Sequence, residues 1–265
     1  MQRATRFTVH PGDVRLSCLE FGGSGTPCLL VHGLAGTAIE WSETACWLTE
    51  SHRVVSFDQR GHGASDRAPG RYTRAAYVGD VIAVLEALGG RAVVVGQSMG
   101  GTNAYLAAAG RPDLVERLVV IEAGTSPDPS APEAIRRWLE AWPVPFASLA
   151  TARTYFASIG LSPIWASTLA RRADGYRARF EIEDMVASVA TDAATDYAEE
   201  WSRIRCPTLV VAGSSSSWPK DEARQMARVL PGGSFACVEG AGHDVHLDAP
   251  AGFREAVSGF LSRAV

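Results

Sequence analysis

Apolar residues fall along this chain in two rhythms. Short, dominantly apolar runs occupy residues 28–31, 54–57, 93–95, 118–121, 208–212 and 235–238, and longer stretches with helical spacing occupy 74–88, 99–109, 221–230 and 249–261. Runs that show no polar alternation suit strands covered on both faces. Their alternation with helices predicts a parallel sheet with helices on both sides. Residues 7–9 and 14–21 flank the turn His10-Pro11-Gly12-Asp13, and Gly22-Gly23-Ser24-Gly25 ends the second, so the sheet is expected to begin with an antiparallel hairpin. The fold class expected is α/β, with a mostly parallel eight-stranded sheet and helices on both faces.

The rhythm breaks after Ala123-Gly124. Pro127, Pro129, Pro132, Pro143, Pro145 and Pro163 interrupt helical stretches rich in aromatics, and the alternation resumes near Cys206. The expected organisation is a core of residues 1–124 and 202–265 with a helical cap inserted at 125–201. No internal repeat or linker separates independently folding units. Helical aromatics usually pack their own core, so most of those in this segment are expected to build the cap; Trp138, Trp142 and Trp165 are the candidates for substrate contact.

Composition narrows the functional classes. At 265 residues, 46% hydrophobic and 20% charged, the chain fits one globular domain. Its net charge of -4 and the absence of a basic run argue against nucleic acid as a partner. Arg171, Arg172, Arg177 and Arg179 lie among Asp174, Glu181, Glu183 and Asp184, a mixture expected on a solvated helix face. Five widely spaced cysteines without a Cys-x-x-Cys pair indicate neither a disulfide framework nor a zinc site, and read as buried thiols. The first residues lack a secretory signal and no stretch is long enough for a membrane span, so a cytoplasmic protein without membrane partners is expected. The partner expected is a small-molecule substrate, with no metal or cofactor and no oligomeric state indicated.

The chemistry concentrates at a few turns. Gly96-Gln97-Ser98-Met99-Gly100-Gly101 joins an apolar strand to an alanine-rich helix. A serine in so sharp a turn needs residues without side chains two positions before and after it. Its Oγ then lies at a helix N-terminus, whose amides favour developing negative charge. His32-Gly33-Leu34 follows the strand at 28–31 and offers a second backbone donor, so Leu34 and Met99 are the candidate oxyanion hole. His32 itself, at a buried strand end, is expected to fix that loop. A base that takes the serine proton should titrate near neutrality, which selects histidine. Of six, His243 lies in Gly240-Ala241-Gly242-His243-Asp244, between the last strand and the terminal helix. His246 reads as a structural or rim residue, and His10 and His52 as surface turn residues.

With these residues the chain resembles the α/β-hydrolase superfamily, in the branch that carries His-Gly and Asp-x-Arg-Gly-x-Gly-x-Ser motifs. The second motif stands as Asp58-Gln59-Arg60-Gly61-His62-Gly63-Ala64-Ser65, and the resemblance covers nearly everything outside the cap. It implies that this loop supports the active-site face and that the triad runs in the order serine, acid, histidine. As a phosphate loop the stretch lacks the Lys-Ser/Thr ending. Relatives commonly place the acid after the strand at 208–212 as Gly-x-x-Asp, but this chain reads Gly213-Ser214-Ser215-Ser216. A neutral serine cannot stabilise imidazolium as a carboxylate does. Glu122 ends the neighbouring strand and matches the position that holds the acid in some haloalkane dehalogenases and certain lipases. Asp221, or no acid at all, are the alternatives; Asp244 is expected to point away from the ring beside it.

The resemblance implies a serine hydrolase of an ester, thioester or lactone of a hydrophobic small molecule, with a Ser98 acyl-enzyme, His243 as base and Glu122 as acid. Serine at 98 disfavours the dehalogenase and epoxide hydrolase mechanisms, which use a carboxylate nucleophile. Fold does not fix reaction, so perhydrolase, lyase or C–C hydrolase chemistry and non-catalytic binding remain as alternatives.

Overall fold

The computed structural model describes residues 4–68 and 70–263. The reading that the chain lacks a secretory signal begins at residues 1–3, which lie outside the described residues. The hairpin β1 (Thr5–Val9) and β2 (Leu16–Gly22) leads into β3 (Pro27–Val31), α1 (Ser42–Leu48), β4 (Arg53–Phe57), α2 (Arg74–Leu88), β5 (Ala92–Gln97), α3 (Met99–Gly110) and β6 (Val115–Ile121). There follow α4 (Ala131–Glu140), α5 (Leu149–Ser158), a small hairpin β7 (Ala170–Arg172) and β8 (Gly175–Arg177), α6 (Ile182–Ala190) and α7 (Ala198–Ser202). The sheet is then completed by β9 (Thr208–Gly213), α8 (Lys220–Arg228), β10 (Gly233–Val238), α9 (Val245–Asp248) and α10 (Pro250–Leu261). The strand order is β1-β2-β4-β3-β5-β6-β9-β10, antiparallel at the first two pairings and parallel from β4 onward.

Strand geometry explains why the apolar runs are continuous. Successive side chains point to opposite faces, and here both faces are covered. Leu29, Val31, Val94, Leu118, Val120, Val210 and Ala212 join one apolar layer. Cys28, Leu30, Val93, Val95, Val119, Ile121, Leu209 and Val211 join the other, against Trp41, Phe253 and Phe260. Burying such side chains contributes about 1.5–3 kcal/mol each, so the central strands carry a large share of the core's stabilisation. Their C-terminal ends carry the site.

The aromatics between β6 and β9 largely pack on one another. Leu139, Trp142, Phe146, Phe156, Trp165 and Met185 form a separate apolar cluster that touches the core through Ala35 and Leu34. Trp142 is the hub, with edge-on contacts to Trp138, Phe156, Trp165 and Phe180. Edge-to-face pairing of this kind adds about 0.5–1.5 kcal/mol per pair beyond area burial.

Two expectations are corrected. Arg171, Arg172 and Arg177 lie on the β7–β8 hairpin and not on a helix, because the two-residue turn Ala173-Asp174 folds the chain back so that Gly175 pairs with Arg172; Arg171 and Arg172 are solvated as expected. Cys46 and Cys237 are exposed, whereas Cys18, Cys28 and Cys206 are buried. Cys46 is on the outer face of α1, and Cys237 lies on the edge strand β10, which pairs on one side only. Among the described residues no helix is long and apolar enough to cross a membrane.

Candidate active site

The turn at Ser98 is built by close backbone approach. Ser98 adopts φ 51°, ψ -123° between β5 and α3. A Cβ at Gly96 would lie 2.4 Å from the Gly100 carbonyl oxygen, and one at Gly100 would lie 2.3 Å from that of His32. No other residue fits either position. The Ser98 amide donates to the Ile121 carbonyl at 2.8 Å, and the Thr102 amide donates back to the Ser98 carbonyl at 3.0 Å. The Met99 amide, first in its helix, and the Leu34 amide find no acceptor among the described residues, as befits groups that serve a ligand.

The loop carrying Leu34 is held by the Asp-x-Arg-Gly-x-Gly-x-Ser segment. His32 Nε2 accepts from the Gln59 amide at 3.0 Å, and the Gln59 side chain donates to the His32 carbonyl at 2.6 Å. His62 Nε2 accepts from the Ala35 amide at 3.1 Å, and Asp58 accepts from Ala38 and Ala64. Burial pushes His32 down to about 4 and His62 down to about 3, so both rings are neutral scaffolding and neither is a base. Arg60 is locked on Asp80 by two bonds of 2.6 and 2.7 Å.

His243 and Glu122 meet. His243 Nδ1 lies 3.4 Å from Glu122 Oε2, with the carboxylate fully buried and the ring about half exposed toward the cavity. Glu122 Oε1 accepts from the Gly213 amide at 2.8 Å, while Oε2 also accepts from the Ser216 hydroxyl. Ser216, at the position where the resemblance leads one to expect the acid, thus donates to Glu122 instead. Burial lowers the proton affinity of His243, but the hydrogen bond to Glu122 and the charges of Asp244, Glu122 and Asp248 more than offset it, leaving the ring above the ordinary histidine value. Asp221, the alternative acid, points into solvent with a side chain 99% exposed and pairs with Arg224.

Ser98 and His243 line two adjoining cavities that also share Leu34 and Ile135. The smaller, about 270 Å³, is walled by Leu161, Trp138 and Trp165, with Glu40 and Asp244 among its lining. The larger, about 540 Å³, includes Arg74, Thr102, Asp128, Asp192 and Glu222. Trp142 reaches neither; its ring backs those of Trp138 and Trp165. His10 is exposed and His52 bonds Ser51 at the surface, far in kind from the buried His246, which stacks on Trp41 at 4.0 Å.

Three contributors escaped the sequence reading. Asp244 does point away from the His243 ring, but to a purpose, since it accepts from Gln97 Nε2 at 3.2 Å and from Trp165 Nε1 at 2.7 Å. Gln97 also donates to the His243 carbonyl at 3.2 Å, so it ties the residue before the nucleophile to the histidine loop. Gln97 and Asp244 adjoin the serine and the histidine in the chain, but the sequence does not name their partners. Arg74 is the third. It donates to Asp192 and Asn103, and Asn103 donates to Gln59 at 2.6 Å, a chain that joins the helical segment to the Leu34 loop.

A strand–serine–helix elbow, two unpaired amides and a histidine on a buried carboxylate define the class, and the family model agrees: the chain belongs to the Alpha/beta hydrolase family, matched over residues 28–256. The 2-(acetamidomethylene)succinate hydrolase of Mesorhizobium japonicum is 28% identical over 263 residues, covering 96% of this chain and 94% of that protein. The sn-1-specific diacylglycerol lipase ABHD11 of Mus musculus is 28% identical over 272 residues, covering 97% and 84%. The crystal structure of E-2-(acetamidomethylene)succinate hydrolase superposes with a TM-score of 0.89 at 25% identity, over 98% of this chain and 100% of that one. These relatives are hydrolases.

Proposed function

We propose that the protein hydrolyses an ester, thioester or lactone of an uncharged, largely apolar small molecule through a Ser98 acyl-enzyme. The observation that carries the reading is the 3.4 Å contact from His243 Nδ1 to the buried Glu122 carboxylate, beside a cavity that both His243 and Ser98 line. With Nδ1–H on Glu122, Nε2 is the free base. It takes the Ser98 proton as Oγ attacks the acyl carbon, and the tetrahedral oxyanion is held by the Leu34 and Met99 amides. Collapse expels the alcohol or thiol, which leaves with the proton from His243. Water then gives a proton to His243, attacks the acyl carbon and releases the acid and Ser98.

Residues 125–201 act in this reading as a cap that closes an apolar chamber over the nucleophile, with Trp138 and Trp165 as substrate contacts. Electrostatics favour a neutral substrate. Asp244 lines one cavity, and Glu122, Asp128, Asp192 and Glu222 line the other, where Arg74 is already engaged by Asp192. A dicarboxylate such as the relatives' names describe finds no free cation there among the described residues. The test is fluorophosphonate labelling alongside turnover of short acyl esters. Labelling of the wild type and its loss in Ser98→Ala, together with loss of turnover, is expected; retained turnover in the variant sinks the covalent mechanism.

A further inference from the structure

The smaller cavity is apolar on most sides, yet one side chain of its lining is a glutamate that the reaction above does not use. Glu40 lies in the short turn Ala38–Trp41 that follows the Leu34 loop, and it is almost fully buried. One of its oxygens serves the backbone, for Oε2 accepts from the Thr37 amide at 3.1 Å and so caps the turn. The other oxygen has no such role. His246 Nε2 is 3.6 Å from Oε1, outside hydrogen-bond reach, and among the described residues both ring nitrogens of His246 are themselves unpartnered.

Burial is the main force that holds the Glu40 proton well above the ordinary carboxylate range, and the Asp244 charge adds to it. His246 supplies no compensating cation, since burial pushes it down to about 4. A carboxyl group that keeps its proton presents an O–H donor. Glu40 lines the cavity, so an acceptor oxygen on a ligand there would receive that hydrogen bond.

We propose that Glu40 is a specificity-determining residue whose Oε1 donates a hydrogen bond to an uncharged acceptor oxygen on the part of the substrate held in the tryptophan-walled cavity. The substrate class is therefore an acyl compound with a keto, ether or amide oxygen beyond the scissile carbonyl. An anionic group is disfavoured because Asp244 lines the same cavity. Placing substrate there rests on the reading of Ser98 and His243 as the reacting centre.

Calorimetric titration with acetophenone and with α-methylstyrene tests this, because the pair differ only by a carbonyl oxygen against a CH₂ and neither is hydrolysed. Acetophenone is expected to bind about tenfold more tightly to the wild type. Glu40→Gln should keep the preference, since its carbonyl can cap Thr37 while its amide donates. Glu40→Met and Glu40→Leu should lose it, and thermal melts select whichever variant remains folded. Equal binding of the two ligands by the wild type overturns the proposal at once, without any variant. An undiminished preference in a folded Met or Leu variant also overturns it. Binding needs no turnover, so absence of Ser98 labelling would sink the hydrolase reading while leaving this result distinguishable.

Discussion

The ends of β5 and β6 solve the same problem with different sequences. The two strands are parallel neighbours with Gln97 opposite Ile121, so Ser98 and Glu122 are the next residues in register. Both have φ 51°, a conformation that costs a non-glycine residue about 1–3 kcal/mol. After Ser98 the chain enters a helix at once, so the close approach must be relieved by Gly96 and Gly100. After Glu122 it leaves the sheet through Ala123-Gly124 toward the helical segment, and no glycine pair is required. In each case the strain aims a candidate catalytic side chain out of the sheet. Only at Ser98 does it leave a motif.

The comparison breaks first at its serine. Ser98→Ala should lower kcat by about 10⁴-fold or more in an ester assay with an intact fold, because the nucleophile and its base act as a unit. Residual turnover near wild type would mean that the elbow is only a turn. Next comes the acid. Glu122→Gln keeps the shape but leaves the imidazolium without its counter-charge, and kcat should drop by about 10²- to 10⁴-fold. Ser216→Asp in that background places a carboxylate where relatives carry it and should recover about tenfold or more. Ser216→Asp alone should lose activity, since it sets two carboxylates on one site. Recovery in the single variant and none in the double would refute Glu122 as the acid.

These outcomes bear on what the sequence could disclose. The sheet was legible because strands buried on both faces have no choice but apolar runs, as Cys28 to Val31 illustrates. The elbow was legible because its glycines are forced by atoms 2.3–2.4 Å away. Glu122 could be proposed only from the missing aspartate at Ser216 together with its own place at the end of the neighbouring strand. That Ser216 would turn its hydroxyl onto Glu122 depends on the path of the loop after β9, which is held by Lys220 Nζ on the Trp218 carbonyl at 2.9 Å. Asp244 illustrates the same limit. Its neighbour in sequence is the base, but its partners Gln97 and Trp165 come from distant elements, and no local pattern encodes that meeting. The hairpin at Arg171–Arg177 is signalled only by Asp174 in its turn and the Gly175 that follows, and the mixed charges around them suit an exposed helix equally well.

A smaller effect concerns pH. In the proposed mechanism the base must be neutral to accept the serine proton, and pairing with Glu122 holds His243 above the ordinary value of about 6.5. Activity should therefore fall as pH drops through that raised value. Glu122→Gln should move the acid limb of the kcat/KM profile downward in pH, although its plateau is lower. A limb that stays in place would show that the carboxylate does not face the ring in solution.

The smallest effects separate two tryptophans that look alike in sequence. Trp165 Nε1 donates to Asp244 at 2.7 Å, whereas the buried Trp142 Nε1 has no partner among the described residues. Both rings belong to the same aromatic cluster, so Trp→Phe trims similar apolar area at each. At Trp165 the change also leaves one Asp244 oxygen without its donor, which should cost about 1–3 kcal/mol more than at Trp142 in denaturant unfolding. Because Asp244 adjoins His243 and shares Gln97 with it, Trp165→Phe should further lower kcat severalfold, while Trp142→Phe leaves it near wild type. Equal losses at the two positions would mean that the indole bond to Asp244 does not link the helical segment to the histidine loop. The site would then rest on its two strand ends alone.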